Sequence, residues 1–240
     1  MNPAVHVYQN LNDLLEALAQ IFISVSEKAR RANSLSAIAL PGGHTPRALF
    51  EYLALPQISQ KISWEYVQFF WGDERCVPPD HPDSNYGMAQ KYLINHINMP
   101  AAHIHRIHGE NDPHSEAIRY SQEISSSVKK MLSSIPRLDW ILLGLGKDGH
   151  TASLFTGQSP KGLCGVTFHP KTGQKRITMN YELISLAHRI SFIVRGKNKA
   201  KMVSKVLKEA NILKNIPAAN IRPVSGTCEW YLDEAAASYL

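Results

Sequence analysis

The chain has 240 residues, 44% of them hydrophobic, and a formal net charge of +6. This composition is typical of a globular protein, and the lack of a linker rich in Gly, Ser or Pro predicts one domain over residues 1–240. No apolar run reaches the roughly 20 residues of a membrane-spanning helix, and the N-terminus lacks the basic start and apolar segment of a secretion signal. We therefore expect a cytoplasmic protein with no membrane partner.

The positive charge is compatible with a merely basic surface, with nucleic-acid binding, or with a field that attracts an anionic small substrate. Lys and Arg are scattered, and the one dense run, over 194–208, is interleaved with apolar residues at helical spacing. No nucleic-acid-binding motif is present, so we expect no nucleic-acid partner. Three cysteines that lie far apart, Cys76, Cys164 and Cys228, indicate reduced thiols rather than disulfides or a zinc site.

The first half of the chain alternates strands and helices. Residues 4–8 and 34–40 are predicted strands, and apolar residues at helical spacing between them predict an amphipathic helix: Leu11, Leu14, Leu15, Leu18, Ile21, Phe22 and Val25. A second helix follows, with Thr45 as its N-cap and Pro46 at the first helical position. Residues 66–72 then form a strand, and a helix over 83–94 is capped by Asp83 or Ser84.

The second half continues the alternation. A helix over 113–132 presents an apolar face: Ala117, Tyr120, Ile124, Val128 and Met131. The apolar run 138–146 is typical of a central parallel strand. Further strands are predicted around 165–169, 176–180 and 190–195, and helices over 197–209 and 230–239. This order predicts an α/β fold, with a mostly parallel β-sheet and helices on both faces.

Three polar clusters follow strands of this predicted sheet. They are PGGHTP at 41–46, WGDERCVPPDHPDSNYG at 71–87 and GLGKDGHTASLF at 144–155. Ligands of open α/β sheets bind outside the carboxyl ends of the strands, so we expect the three clusters to converge on one site.

The glycine turn supports two interpretations of similar weight. Gly42 and Gly43 allow close approach of an anion to the N–H groups of a helix start. Alternatively, the segment is a tight turn capped by Thr45.

The other two clusters carry groups suited to catalysis. His150 is able to take a proton from water near neutral pH, and Asp148 is placed to orient its ring. Arg75 suits a phosphate or a developing oxyanion, while Asp73 suits Arg75 itself or a substrate hydroxyl. A solvated turn histidine and a surface ion pair are the alternatives. The stretch HIHRIH at 103–108 superficially resembles metal ligands, but without a carboxylate or helical register we predict a basic loop and no metal.

The chain resembles the 6-phosphogluconolactonase family over nearly its whole length. The likeness rests on the glycine turn, on the GDER and DGHTASLF blocks, and on further segments: IHRIHGENDP at 104–113, GKNKA at 196–200 and CEWYLDEAAA at 228–237. It implies the modified Rossmann fold of the sugar-phosphate isomerase superfamily and the hydrolysis of 6-phospho-D-glucono-1,5-lactone to 6-phosphogluconate, in the oxidative pentose phosphate pathway, with no cofactor.

The resemblance also implies residue roles. His150 would be the catalytic base, and the substrate and phosphate site would be lined by Gly42, Gly43, Thr45, Arg75 and Lys199. From the residues themselves we add Asp148 and Arg75 to the catalytic group, with the Gly146–Gly149 turn or Arg75 stabilising the oxyanion, and we add His44, Asp73 and Gly146 to the substrate site. Whether Arg75 or Lys199 holds the phosphate stays open, and so does activity on lactones without a phosphate. We expect a monomer.

Two other functions fit the same architecture. A glucosamine-6-phosphate deaminase or isomerase would need a glutamate after the histidine, where this chain has no carboxylate over 151–156. A non-catalytic sugar-phosphate sensor would need a helix-turn-helix segment and no Asp148–His150 pair.

His44 and Pro41 replace serines of the usual family turn, and Thr156 replaces a proline of the later loop. We hypothesise that His44 substitutes as a phosphate donor, strongest when protonated. This predicts that KM rises as pH climbs through the titration of His44, and that His44→Ser flattens the dependence.

Overall fold

The computed structural model describes residues 3–129, 135–209 and 213–240. Its strands are β1 Ala4–Tyr8, β2 Ser36–Leu40, β3 Val67–Trp71, β4 Asp73–Arg75, β5 Trp140–Leu143, β6 Cys164–Phe168, β7 Lys175–Met179, β8 Arg189–Val194 and β9 Thr227–Asp233. Its α-helices are α1 Leu11–Arg31, α2 His44–Leu53, α3 Pro56–Ser59, α4 Asn85–Tyr92, α5 Pro113–Ser127, α6 Tyr181–Leu186, α7 Lys197–Glu209 and α8 Glu234–Ala237.

The larger sheet has six parallel strands in the order β1, β9, β8, β5, β2, β3. Its middle strands β2, β5 and β8 are almost entirely buried, as continuous apolar runs of a parallel sheet require. The carboxyl ends of β2 and β5 therefore share one edge, where the glycine turn and the Asp148–His150 loop begin. The predicted fold class is confirmed.

A second sheet of three antiparallel strands, in the order β4, β7, β6, stands apart from the first. It begins one residue after β3, since Gly72 alone separates Trp71 from Asp73. The sequence did not predict β4, and it did not predict that β6 and β7 form a hairpin outside the parallel sheet. This small sheet carries the Asp73–Arg75 segment to the same edge.

Large aromatic side chains fill the core between sheet and helices. Trp140 of β5 donates a hydrogen bond from Nε1 to Ser191 Oγ of β8 at 2.9 Å, and Phe22 of α1 packs against it with ring centroids 4.7 Å apart. Phe192 and Trp230 stack at 4.2 Å. None of the helices in the described ranges is long and apolar enough to cross a membrane.

Two predicted elements differ from the structure. The helix predicted over 230–239 is wrong: residues 227–233 are strand β9, which pairs with both β1 and β8, and only the short α8 follows. The Glu- and Ala-rich residues 234–237 do form the helix α8, whereas Trp230, Tyr231 and Leu232 before them suit a strand that is paired on both sides. Helix α5 ends earlier than predicted, at Ser127, and Met131 and Leu132 lie outside the described residues. Of the two caps predicted for α4, the structure has Ser84, which accepts from Gly87 N–H.

The predicted cap of α2 is also wrong. The N-cap is Gly43, whose φ of 106° lies in the region that favours glycine, and Thr45 is already the second helical residue. No described side chain caps this helix. Its first N–H groups are therefore left to the solvent or to a ligand.

In the histidine-rich stretch 103–108, His105 is held by contacts with neighbouring elements. Both ring nitrogens of His105 bond to side chains, Nδ1 to Glu123 at 2.8 Å and Nε2 to Gln68 at 3.2 Å, and its ring stacks on Phe70. The described residues contain no cluster of His, Cys, Asp and Glu that would hold a metal ion.

Candidate active site

A cleft of about 480 Å³ lies at the edge where the three polar clusters meet. Its wall includes residues from each cluster: Gly42, Gly43, Asp73, Arg75, Asn85, Gly146, Asp148, His150 and Ser153. Lys199 at the start of α7 and Arg176 of β7 complete it. The predicted convergence of the three clusters is thus observed.

Asp148 and His150 form a directed pair on the loop after β5. His150 Nδ1 lies 2.6 Å from Asp148 Oδ1, so the carboxylate accepts the Nδ1–H and Nε2 is left as the basic nitrogen. Burial raises the pKa of Asp148, but the charge and hydrogen bonds of His150 outweigh it, and the pKa lies below its usual value. The carboxylate therefore stays ionised and stabilises a protonated imidazole.

The glycines of this loop give it its shape. A Cβ on Gly146 would lie 2.2 Å from His150 Nδ1, so only glycine leaves room for the pair. Gly146 N–H donates to His150 O at 2.7 Å and Gly149 N–H donates to Gly146 O at 3.1 Å. Both N–H groups are engaged within the loop, so they are not the donors that an oxyanion would need.

Arg75 and Arg176 face each other across the small sheet. They are directly paired residues of the antiparallel strands β4 and β7, an arrangement that repels because the charges are alike. Arg75 Nη1 donates to Asp83 O at 2.5 Å, yet the Nε atoms of both side chains are buried without a partner. Burial and then the charge of Arg75 lower the pKa of Arg176. Two guanidinium groups held in this way form a site that an anion would stabilise.

Asp73 does not pair with Arg75, contrary to one of the two expectations for it. Its carboxylate is buried and accepts a hydrogen bond from Ser153 Oγ at 2.6 Å. Its backbone oxygen accepts from the Asn85 amide at 2.8 Å. Since Asp73 also lines the cleft, the expectation that remains is contact with a substrate hydroxyl.

Lys199 enters the cleft from the first turn of α7, which follows the carboxyl end of β8. Its ammonium group donates to Leu145 O at 2.6 Å. Burial and then Lys147 lower its pKa, while Asp148 acts in the opposite direction. Lys199 thus lies on the Asp148–His150 side of the cleft, and Arg75 and Arg176 form a separate cationic group.

Two of the predicted substrate ligands lie outside this wall. His44 is exposed and lines a neighbouring cavity of about 730 Å³, which shares Gly43 and Arg75 with the cleft. Thr45 follows it in the first turn of α2 and is not among the described residues that line either cavity.

Arg176, Asn85 and His169 line the cleft but were not singled out from the sequence. Arg176 and His169 belong to the β6–β7 hairpin, whose pairing with β4 is a long-range event without a local signal. Asn85 could have been found from the sequence, because it is the first helical residue after the Ser84 cap and lies in the second polar cluster.

Comparison with known proteins agrees with this geometry. The family model of glucosamine-6-phosphate isomerases/6-phosphogluconolactonase matches residues 9–230. A 6-phosphogluconolactonase of Haemophilus influenzae is 41% identical over 229 residues, which cover 94% of this chain and 95% of that protein.

Two solved structures have the same fold. The 6-phosphogluconolactonase of Trypanosoma brucei superposes with a TM-score of 0.84 at 27% identity, covering 99% of this chain and 98% of that one. A monomeric glucosamine-6-phosphate deaminase superposes with a TM-score of 0.85 at 23% identity, covering 99% and 100%. At that identity the second likeness concerns the fold alone.

Proposed function

The chain belongs to the family of glucosamine-6-phosphate isomerases and 6-phosphogluconolactonases, and from this premise we propose that it is a 6-phosphogluconolactonase. It hydrolyses 6-phospho-D-glucono-1,5-lactone to 6-phosphogluconate, a step of the oxidative pentose phosphate pathway. The observation that carries this function is one cleft that holds both a directed Asp148–His150 pair and two facing arginines.

The reaction begins with a water molecule between His150 and the lactone carbonyl carbon. Nε2 of His150 takes a proton as the water oxygen bonds to that carbon, and Asp148 stabilises the resulting imidazolium. The carbonyl oxygen gains the negative charge of a tetrahedral intermediate. When this collapses, the bond between the carbon and the ring oxygen breaks, and His150 returns its proton to that oxygen. The product is the open-chain acid.

The phosphate and the oxyanion are stabilised by two different groups of cationic side chains. We assign the phosphate to Arg75 and Arg176, because both side chains line the cleft and the negative charge of the phosphate offsets their mutual repulsion. The uncapped start of α2 at Gly43 adds backbone N–H groups and the helix dipole. Lys199 is placed to stabilise the oxyanion, since it lies beside the Asp148–His150 loop.

Ser153 does not act as the nucleophile in this mechanism. Its hydroxyl is buried and donates its hydrogen bond to the Asp73 carboxylate rather than to His150, so the imidazole does not take the proton of Ser153. A lactone is an activated ester, and a positioned base with a donor for the oxyanion accounts for the reaction without a cofactor.

A coupled assay that measures release of 6-phosphogluconate tests this function. We expect turnover by the native chain and a loss of about 100-fold to 10,000-fold in His150→Asn, with no release of ammonia from glucosamine 6-phosphate. The deaminase alternative predicts ammonia release, and a sugar-phosphate sensor predicts binding of 6-phosphogluconate without turnover. Native turnover by His150→Asn would overturn the mechanism.

The chain also acts, in this proposal, as a monomer in the cytoplasm. Cys76, Cys164 and Cys228 are all free thiols, which fits a reducing compartment. Light scattering coupled to size-exclusion chromatography tests the first statement, and fractionation of the source cells tests the second.

A further inference from the structure

Glu74 is a buried carboxyl next to the site that the mechanism above does not use. It lies on β4 between Asp73 and Arg75, and its side chain is 1% exposed. Among the described residues no lysine or arginine lies within ion-pair distance of it. An isolated buried carboxyl is costly unless hydrogen bonds satisfy it, so its surroundings need an explanation.

Four donors converge on this carboxyl. One oxygen accepts from the backbone N–H groups of Arg75 at 2.7 Å and Asn85 at 2.8 Å. The other accepts from Tyr86 N–H at 2.8 Å and from Ser84 Oγ at 3.1 Å. Three of these donors belong to the cap and first turn of α4, so Glu74 attaches the start of that helix to β4.

The attached helix start places Asn85 between two parts of the cleft. The Asn85 amide donates to Asp73 O at 2.8 Å, and a Cβ on Gly42 would lie 1.8 Å from Asn85 Oδ1. Asn85 therefore contacts both the Asp73 strand and the glycine turn, although these segments are far apart in the chain. We propose that Glu74 is a positioning residue that, by holding Asn85, keeps Asp73 and the Gly42 turn in the geometry that binds the substrate.

The proposal rests on the lactonase function, and its variants separate binding from chemistry. In Glu74→Gln the shape is kept, but an NH₂ group replaces one oxygen that accepts two donors. We expect KM to rise about tenfold and kcat to change less than threefold, since one to two hydrogen bonds to a charged group are lost while the Asp148–His150 loop is untouched. Calorimetry with 6-phosphogluconate should show a similar loss of affinity without any turnover.

Glu116→Gln is a matched control. Glu116 is also 1% exposed and accepts from a backbone N–H, that of His108 at 2.7 Å, but it does not line the cleft. A merely structural effect of replacing a buried carboxyl would lower the thermal stability of both variants and leave the KM of both unchanged.

A double-mutant cycle tests whether Asn85 carries the effect. If Glu74 acts through Asn85, Asn85→Ala raises KM at least as much as Glu74→Gln, and the double variant is no worse than Asn85→Ala. Additive effects would contradict the route through Asn85. If Glu74→Gln does not fold, Asn85→Ala and Glu74→Asp still test the proposal. The shorter side chain of Glu74→Asp keeps the carboxylate charge, so this variant should keep part of the native affinity.

The pH profile gives a further readout. Burial and, less strongly, the charge of Asp73 raise the pKa of Glu74 to about 7 against the lowering effect of the N–H groups of Tyr86, Asn85 and Arg75. Cys76 on the same segment and Arg176 on β7 are the other titratable or charged groups that sense it. Below pH 7 the added proton occupies an acceptor position, so the helix start is held less firmly.

We therefore expect the KM of the native enzyme to rise as pH falls from 8 to 6, by more than the KM of Glu74→Gln does. The variant has no carboxyl to titrate, and the titration of the substrate phosphate is common to both. Native turnover with unchanged KM, affinity and pH profile in Glu74→Gln would overturn the positioning role alone, whereas absence of lactonase activity in the native chain would overturn the proposed function.

Discussion

The two sheets bring different chemistry to one cleft. The six-stranded parallel sheet presents the Asp148–His150 pair on a loop after β5, where a hydrogen bond of 2.6 Å orients the imidazole and half of the Asp148 side chain is exposed. The three-stranded antiparallel sheet presents Asp73, whose buried carboxylate accepts a hydrogen bond from Ser153, and Arg75 and Arg176, whose Nε atoms are buried without a partner.

This difference separates the kinetic roles. In the proposed mechanism the parallel sheet holds the group that moves protons, so substitutions there are expected to change kcat. The small sheet holds charges that are unfavourable until an anion arrives, so changes there are expected in KM. The two sheets are joined in the chain at Gly72, so function depends on how the small sheet is placed relative to the parallel sheet.

Among the substitutions that test this comparison, the largest effect is expected from Gly146→Ala. The new Cβ would lie 2.2 Å from His150 Nδ1 and 2.5 Å from Asp148 Oδ1, so the pair has to separate. We expect kcat to fall about 100-fold with little change in KM, because a displaced base loses its alignment. Gly144→Ala is the control on the same loop, since its Cβ would meet nothing within 4 Å. Equal kcat values for the two variants would contradict the role of the pair.

Arg176→Ala tests the other side of the comparison. Loss of a charge-assisted contact to phosphate should raise KM about 10-fold to 100-fold and leave kcat within a few-fold. Because Arg75 and Arg176 repel, the free variant should be no less stable to heat than the native protein. Lys175→Ala, an exposed neighbour on β7, is the control. An unchanged KM in Arg176→Ala would exclude this residue as the phosphate ligand.

Ser153→Ala should have a smaller effect, on binding. The bond from Ser153 Oγ to Asp73 is lost, which frees the carboxylate to move and should raise KM about three- to tenfold. The kcat of Ser153→Ala, measured by steady-state kinetics, also tests whether Ser153 is the nucleophile. A serine nucleophile would require kcat to collapse in this variant, while water activated by His150 leaves kcat nearly native.

The smallest effect is expected from His44→Ser. The His44 side chain is exposed and lines the neighbouring cavity, so a change in KM of less than about twofold is expected, as for surface substitutions in general. KM measured between pH 6 and 8 distinguishes this from a phosphate contact. A KM that rises with pH in the native enzyme, and not in His44→Ser, would establish His44 as a phosphate donor.

Much of the fold followed from local patterns. Continuous apolar runs predicted β2, β3 and β5, and apolar spacing predicted α1 and α7, because burial against a sheet demands those periodicities. The end of strand β9 was mistaken for a helix, since the Glu- and Ala-rich helix α8 directly follows it, and pairing of β9 with β1 and β8 is a long-range event. The cap of α2 was misplaced by two residues because the backbone of Gly43, rather than a side chain, begins the helix.

The candidate site was predictable to the extent that its residues are clustered in the chain. Asp148 and His150 are two residues apart, and Asp73 and Arg75 directly follow a strand, so motif and spacing identified them. The sequence also determined that these groups end parallel strands, and therefore that they share one edge of a sheet. That much is set by local composition and by the geometry of parallel strands.

Tertiary structure decided how the charges are partnered. The register of β4 against β7 sets Arg75 opposite Arg176. Folding also brings Ser153 beside Asp73, so that the two side chains form a hydrogen bond. The four donors to Glu74 likewise meet only when α4 is docked on β4. Such contacts join residues up to about a hundred positions apart, and their energy depends on distance and burial, which appear only once the chain is folded.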